Sequence, residues 1–193
     1  MASIKEKMIL GQLYNASEPI LVAERAHAHT ICHHYNSTPN CGSPRESTLQ
    51  PLFGQLGKNV LIEPPFFCDY GYNIFLDDDV YFNFNCTILD CAPVRIGKGV
   101  KFGPGVQVYT AGHPINPSDR AQGLEYALSI TIEANVWVGG GSILLPGVHI
   151  GCNTVIGAGS VVTKSLPANV VAVGNPCRVI KSVSASEAAI LQQ

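Results

Sequence analysis

From Ile132 onward an aliphatic side chain recurs at every sixth position: Ile132, Val138, Leu144, Ile150, Ile156 and Val162. Few folds satisfy that spacing. An α-helix repeats about every 3.6 residues and a half-buried strand every second one, so neither explains a period of six. Three residues after the first five aliphatics stand Asn135, Gly141, Gly147, Asn153 and Gly159, types that tolerate positive φ in a turn. One position later come Val136, Ser142, Val148, Thr154 and Ser160, all small or β-branched. A parallel β-helix accommodates all three columns. Each hexapeptide is a short strand plus a turn, three of them close one triangular coil, and stacked coils sit about 4.8 Å apart, as neighbouring strands do. The aliphatic column fills the prism and the small residues fit its corners.

The same frame is visible upstream in Ile96, Phe102 and Val108, and more loosely in Cys68, Ile74, Phe82 and Ile88. Two-residue slips between Ile74 and Phe82, and between Ile88 and Ile96, imply bulged corners. After Val108 the frame stops, and it resumes only near Ile130. The stretch 109–130, which carries His113, is therefore predicted to leave the body of the solenoid as an excursion loop. Long loops of this kind are disproportionately functional.

Only the first 57 residues have helical spacing. Ile4, Met8 and Ile9 predict a short helix stopped near Gly11. Ser17-Glu18-Pro19 reads as a second helix start, with Ile20, Ala23, Ala26, Thr30 and Ile31 on one side. Asn36 to Pro44 reads as a polar loop, and Arg45 to Leu56 as a third helix. The predicted organisation is an all-β solenoid over 58–181, preceded by a small helical segment over 1–57 and followed by a tail over 182–193.

Composition narrows the function classes. The 193 residues hold 46% hydrophobic and 13% charged side chains, enough for one domain with a sizeable core and unlike a disordered chain. The formal net charge of −2, without a dense Lys/Arg block, argues against nucleic acid as a partner. No stretch of about 18 apolar residues predicts a membrane span, and Met1 to Leu13 lack the apolar region of a secretory signal. Seven irregularly spaced cysteines read as reduced core residues of a cytoplasmic protein, not as a disulfide framework. His29 and His33 could share a helix face, but with no closed set of ligands around them no metal is expected.

Several local motifs carry a family resemblance. Glu63-Pro64-Pro65-Phe66, Asn83-Phe84-Asn85, Thr110-Ala-Gly-His113-Pro114, Ile132-Glu-Ala-Asn-Val-Trp137-Val-Gly-Gly140 and Gly174-Asn-Pro-Cys-Arg178-Val together resemble the maltose/galactoside O-acetyltransferases. Met8-Ile-Leu-Gly-Gln-Leu-Tyr14 with Ala23-Glu24-Arg25 resembles the helical region of maltose acetyltransferases. The resemblance implies a left-handed parallel β-helix, a homotrimer with active sites between subunits, and transfer of acetyl from acetyl-CoA to a sugar hydroxyl.

Acyl transfer to an alcohol needs a base that exchanges its proton near neutral pH, and imidazole is the side chain suited to it. His113 stands between Gly112 and Pro114 in the break of the repeat, which disfavours a core role. It is the candidate general base, taking the proton as the sugar oxygen attacks the thioester in a ternary complex. The resemblance adds Asn83 at the acceptor site, with Glu125 beside the histidine as a carboxylate that could stabilise the imidazolium. It places Tyr81 and Asp69 in the acceptor pocket and the Gly140 N–H as the oxyanion donor. For the cofactor it implies Trp137, Gly140, Ala158, Thr163, Lys164, Arg178 and Lys181. The three cations within residues 164–181 suit the phosphates of CoA. Asn15 stands where the family has an acidic acceptor contact. Within this chemistry a chito-oligosaccharide or a xenobiotic acceptor remains open. A zinc hydrase on the same prism would need about three histidines in the groove between subunits, whereas the solenoid offers only His113 and His149. A scaffold β-helix would need neither the loop nor His113.

Overall fold

The computed structural model describes residues 2–38 and 48–183. Helix α1 (Ile4–Ile9) starts at a capping box, in which the Ser3 hydroxyl accepts from the Glu6 N–H and the Glu6 carboxylate accepts from the Ser3 N–H. A two-residue strand, β1 (Tyr14–Asn15), leads into helix α2 (Pro19–Ser37). Its N-cap is Glu18, which makes no side-chain cap bond, so the helix begins one residue later than a Ser17 cap would place it.

The solenoid follows as three walls. The first holds β2 (Gln55–Leu56), β5 (Ile74–Leu76), β8 (Val94–Ile96), β13 (Ile130–Ile132) and β16 (His149–Ile150). The second holds β3 (Leu61–Ile62), β6 (Tyr81–Phe82), β9 (Lys101–Phe102), β14 (Trp137–Val138), β17 (Val155–Ile156) and β19 (Val170–Val173), closed by antiparallel β20 (Arg178–Ser182). The third holds β4 (Phe66–Cys68), β7 (Cys86–Leu89), β10 (Gln107–Tyr109), β15 (Ile143–Leu144) and β18 (Val161–Val162). The chain visits the walls in this order, coil after coil. The winding is left-handed, opposite to ordinary β crossovers.

The register explains the six-residue period. Leu76, Ile96, Ile132 and Ile150 stack on the first wall. Ile62, Phe82, Phe102, Val138 and Ile156 stack on the second, and Cys68, Ile88, Val108, Leu144 and Val162 on the third. All are buried. The turn column behaves as its residues predict: Asn135, Gly141, Gly147, Asn153 and Gly159 all have positive φ. Four aromatic rings fill the N-terminal end of the prism. Phe53 meets Phe66 at 5.8 Å between centroids, Phe66 meets Phe82 at 5.8 Å, and Phe82 stacks on Phe102 at 4.4 Å.

One slip sits elsewhere than the sequence frame put it. Ile74 and Leu76 are both buried on β5, and it is Leu76 that aligns with Ile96. The extra residues therefore lie between Cys68 and Leu76, not between Ile74 and Phe82. The next slip, between Ile88 and Ile96, and the excursion after Val108 leave the prism at the same edge, where the third wall turns into the first. Two widened corners and a long loop are thus stacked on one edge.

The helical segment departs further from its sequence reading. The inward residues of α2 are Leu21, Ala28, Cys32 and Tyr35, whereas Ile20, Ala23, Ala26 and Thr30 are not buried. Polar ties set that rotation. Asn36 donates to the Phe66 carbonyl at 2.9 Å and accepts from its N–H at 2.8 Å, and the Tyr35 hydroxyl donates to the Ile62 carbonyl. Asn36 is therefore a helix residue, not the start of a loop. The described part of the predicted third helix, 48–56, consists of turns and strand β2. The rest of that helix, most of the 36–44 loop, Cys41 and residues 184–193 lie outside the described residues. The six described cysteines are free and five of them are buried, in line with their reading as core residues. Among the described residues no helix is long and apolar enough to cross a membrane, and no cluster of His, Cys, Asp and Glu could hold a metal ion.

Candidate active site

The edge with the widened corners carries a small cleft. The excursion folds into β11 (Ala111–Gly112), helix α3 (Pro117–Ala121) and β12 (Leu124–Ala127). Strand β12 is the centre of a three-stranded sheet, antiparallel to β11 on one side and to β1 on the other. Ala111 faces Ala127 and Gly112 faces Tyr126, so the next residue, His113, falls opposite Glu125. On the far side Tyr14 faces Glu125. Arg120 on α3 donates to the carbonyls of Pro114 and Ile115, both at 3.1 Å, which pins the segment just after His113.

The cleft measures about 370 Å³ and is lined by Arg25, Asp69, Cys91, Tyr109, His113 and Glu125, among others. His113 Nε2 lies 3.9 Å from Glu125 Oε1; the histidine side chain is 56% exposed and the glutamate 21%. An imidazole open to the cleft with a carboxylate at its back can accept a proton and have the resulting charge stabilised. Burial raises the Asp69 carboxyl above the usual range, partly offset by the Cys91 thiol, which donates to its Oδ2 at 3.5 Å, and by the Arg25 guanidinium. Arg25 is itself held by the Tyr70 hydroxyl at 2.6 Å and the Ala16 carbonyl at 2.8 Å.

Beneath the cleft, fully buried Asp90 shapes the widened corner. Its carboxylate accepts from the N–H groups of Asp69 at 3.1 Å, Tyr70 at 2.9 Å and Asn73 at 3.3 Å. Burial nevertheless pushes this carboxyl up to about 7, against the pull of those N–H donors.

The remaining candidates lie on other parts of the prism. Tyr81 and Trp137 point outward from β6 and β14 on the second wall, where both share the register of Lys101. Asn83 follows β6 at the edge where the second wall turns into the third, and its Oδ1 accepts from the Phe84 N–H at 2.8 Å. Gly140 and Ala158 follow β14 and β17 at that same edge, and its coils touch closely: a Cβ on Gly139 would come 2.5 Å from the Ala158 nitrogen. Thr163 and Lys164 follow β18, on the edge that carries His113. Arg178 and Lys181 lie on β20. Of the candidates, one chain brings together His113, Glu125 and Asp69, and it leaves Tyr81 on the second wall and Asn83 on a different edge. Asn15 does not line the cleft; its Oδ1 accepts from the Ser17 N–H at 2.9 Å.

Known proteins with this architecture decide the family. The family described as maltose acetyltransferase hexapeptide capping motif matches residues 7–57, and bacterial transferase hexapeptide (six repeats) matches residues 129–164. The galactoside O-acetyltransferase of Escherichia coli is 41% identical over 93% of this chain and 89% of its own length. The crystal structure of a maltose O-acetyltransferase from Clostridium difficile superposes with a TM-score of 0.93 at 46% identity, covering 95% of this chain and 98% of that one. The chain belongs to the maltose/galactoside O-acetyltransferase family. A galactoside acetyltransferase solved in complex with coenzyme A also superposes, with a TM-score of 0.86 at 36% identity over 95% of this chain and 92% of that one.

In this family member several cleft residues were not among the sequence candidates, although Tyr14 and Arg25 belong to the N-terminal motif that carries the resemblance. Arg25 and Cys91 line the cleft, and Tyr14 borders it by bonding to Glu125, yet the three come from a helix, a bulged corner and a two-residue strand. Only the cross-strand pairing of β1 with β12, between residues more than a hundred positions apart, brings Tyr14 to Glu125. A buried Asp90 in a widened corner could have been suspected from the slip that surrounds it.

Proposed function

We propose that this acetyl-CoA-dependent O-acetyltransferase acetylates a hydroxyl of a maltose-, glucose- or galactoside-like sugar by direct attack in a ternary complex. The observation that carries the reading is the His113–Glu125 pair at 3.9 Å, open to a cleft in a chain of this family. In the reaction His113 takes the hydroxyl proton as the sugar oxygen attacks the thioester carbonyl. Glu125 stabilises the imidazolium, and the oxyanion is held by the Gly140 N–H. Collapse breaks the carbon–sulfur bond, and the departing thiolate recovers the proton from His113. Asp69 and Arg25 supply polar contacts that suit a sugar. Among the described residues no backbone carbonyl takes the Gly140 N–H, while Gly139 and Gly141 donate to Ile156 and Pro104.

The division of candidates between two edges fits a homotrimer with shared sites. Asn83, Tyr81, Trp137 and Gly140 of one copy would have to face His113 of another for all of them to serve one reaction. Thr163, Lys164, Arg178 and Lys181 would then meet the nucleotide end of CoA, with Ala158 along its pantetheine arm. A reducing, cytoplasmic setting is part of this reading, and the free cysteines suit it.

The test is thiol release from acetyl-CoA in the presence of maltose, glucose, a galactoside, a chito-oligosaccharide, a hydroxylated xenobiotic or no acceptor, for the parent and for His113→Ala. Acceptor-dependent release by the parent only, with both proteins equally stable, is the expected result. Equal rates for the two proteins would overturn the role of His113.

A further inference from the structure

Part of the N-terminal segment, Ala28, Cys32 and Tyr35 of α2, joins the core of the prism, whereas the part ahead of it packs elsewhere. Its apolar residues form a second small core, in which Met8, Tyr14 and Leu21 pack with Tyr70, Cys91, Ala92 and Ala127. At the edge of that core Tyr14 is only 1% exposed. Its hydroxyl donates to Glu125 Oε2 at 2.8 Å, while the other oxygen of the same carboxylate lies 3.9 Å from His113 Nε2. Residues directly opposite in antiparallel strands project to the same face. The registers place Tyr14 opposite Glu125 on one side and His113 opposite Glu125 on the other. The three side chains form one row across β1, β12 and the end of β11.

For packing alone a phenylalanine would serve at position 14. The hydroxyl is what tyrosine adds; it lies beside the Cys91 thiol and donates to one oxygen of a side chain with several rotatable bonds and a partly open surrounding. Without an anchor, such a carboxylate distributes over rotamers and solvent contacts. We propose that Tyr14 is a positioning residue for the acetyl transfer: it holds Glu125 by Oε2 so that Oε1 is presented to His113. The inference rests on the His113–Glu125 reading above. Burial beside Cys91 and Glu125 drives the Tyr14 phenol far above its ordinary range, so it stays a proton donor throughout the working pH range. Cys91, the other polar neighbour, gives its thiol hydrogen to Asp69, and Arg25 is engaged by Tyr70 and Ala16. The capping segment thereby acquires a role in the chemistry, since it carries Tyr14 to the carboxylate.

The experiment is a double-mutant cycle on the full chain with Tyr14→Phe, Glu125→Gln and the pair, read as kcat and as KM for acetyl-CoA. We expect Tyr14→Phe to lower kcat about tenfold, within the coupling range of contacting residues, with KM for acetyl-CoA unchanged. In the Glu125→Gln background the same substitution should remove less than about twofold, because the carboxylate it positions is gone. Equal losses in the two backgrounds would mean that the Tyr14 hydroxyl acts by a route other than Glu125, and an unchanged kcat in Tyr14→Phe would also overturn the proposal. Full activity of Glu125→Gln itself would mark a different failure, that of the carboxylate reading, and the positioning role would fall with it. Thermal melts of all four proteins, expected to agree within a few degrees, separate these results from a folding defect.

Discussion

Replacing Asp90 tests whether the widened corner beneath the cleft is held as described. The carboxylate is fully buried and accepts three backbone N–H groups, those of Asp69, Tyr70 and Asn73. Asp90→Ala strands all three. Each buried donor left without a partner costs about 1–3 kcal/mol, and the Asp69 group is only partly buried, so the sum is about 3–6 kcal/mol. Against a typical domain stability of about 5–15 kcal/mol, that loss is large. Asp90→Asn keeps one oxygen for Asp69 and Tyr70 but sets an amide against the Asn73 N–H, and should cost about 1–2 kcal/mol. The two variants also differ in pH response. With the native carboxyl pushed up to about 7 and the unfolded one near the ordinary aspartate value, the folded state binds more protons between those limits. Stability from this group is therefore present at low pH and lost as pH rises through about 7. Urea unfolding at about pH 5 and about pH 7.5 reads both effects. The parent should lose more stability than Asp90→Asn between the two conditions. An Asp90→Ala protein within about 1 kcal/mol of the parent would refute the corner as a hydrogen-bonded support.

Four further substitutions have expected outcomes. Phe82→Ala, in the aromatic stack of the prism, should destabilise by about 3–5 kcal/mol in a denaturant melt. Gly139→Ala should be poorly tolerated, because its Cβ would come 2.5 Å from the Ala158 backbone nitrogen. Gly141→Ala meets nothing within 4 Å and should cost only the strain of φ +67°, about 1–2 kcal/mol, so thermal melts of the two alanine variants should separate clearly. Trp137→Ala, at an indole 57% exposed, should raise KM for acetyl-CoA and leave the melting temperature unchanged, as steady-state kinetics beside a melt would show.

The solenoid was legible because one physical requirement repeats from β14 to β18: each strand there buries one side chain in the prism, and the corner leading into each carries a residue that accepts positive φ. Val138 and Asn135 obey it as clearly as Ile156 and Asn153. The slip after Cys68 was misplaced because β5 buries both Ile74 and Leu76, so periodicity offers two inward residues and only the pairing with β8 selects Leu76. The face of α2 was not legible because apolar residues surround that helix. Ile20 and Val22 are exposed, and the rotation is set by Asn36 and Tyr35, whose partners Phe66 and Ile62 belong to the solenoid. His113 stood out because it interrupts a regular pattern. Arg25, Cys91 and Tyr14 did not, since their roles exist only once distant strands are paired.

The central claim is that His113 drives acetyl transfer from acetyl-CoA to a sugar oxygen. The direct measurement is mass and NMR analysis of the sugar after incubation with isotopically labelled acetyl-CoA and either the parent or His113→Ala. A labelled, base-labile O-acetyl ester is expected with the parent and none with His113→Ala at equal folded concentration. Ester formation by His113→Ala at the parent's rate, or label found on an amine instead of a hydroxyl, would contradict it.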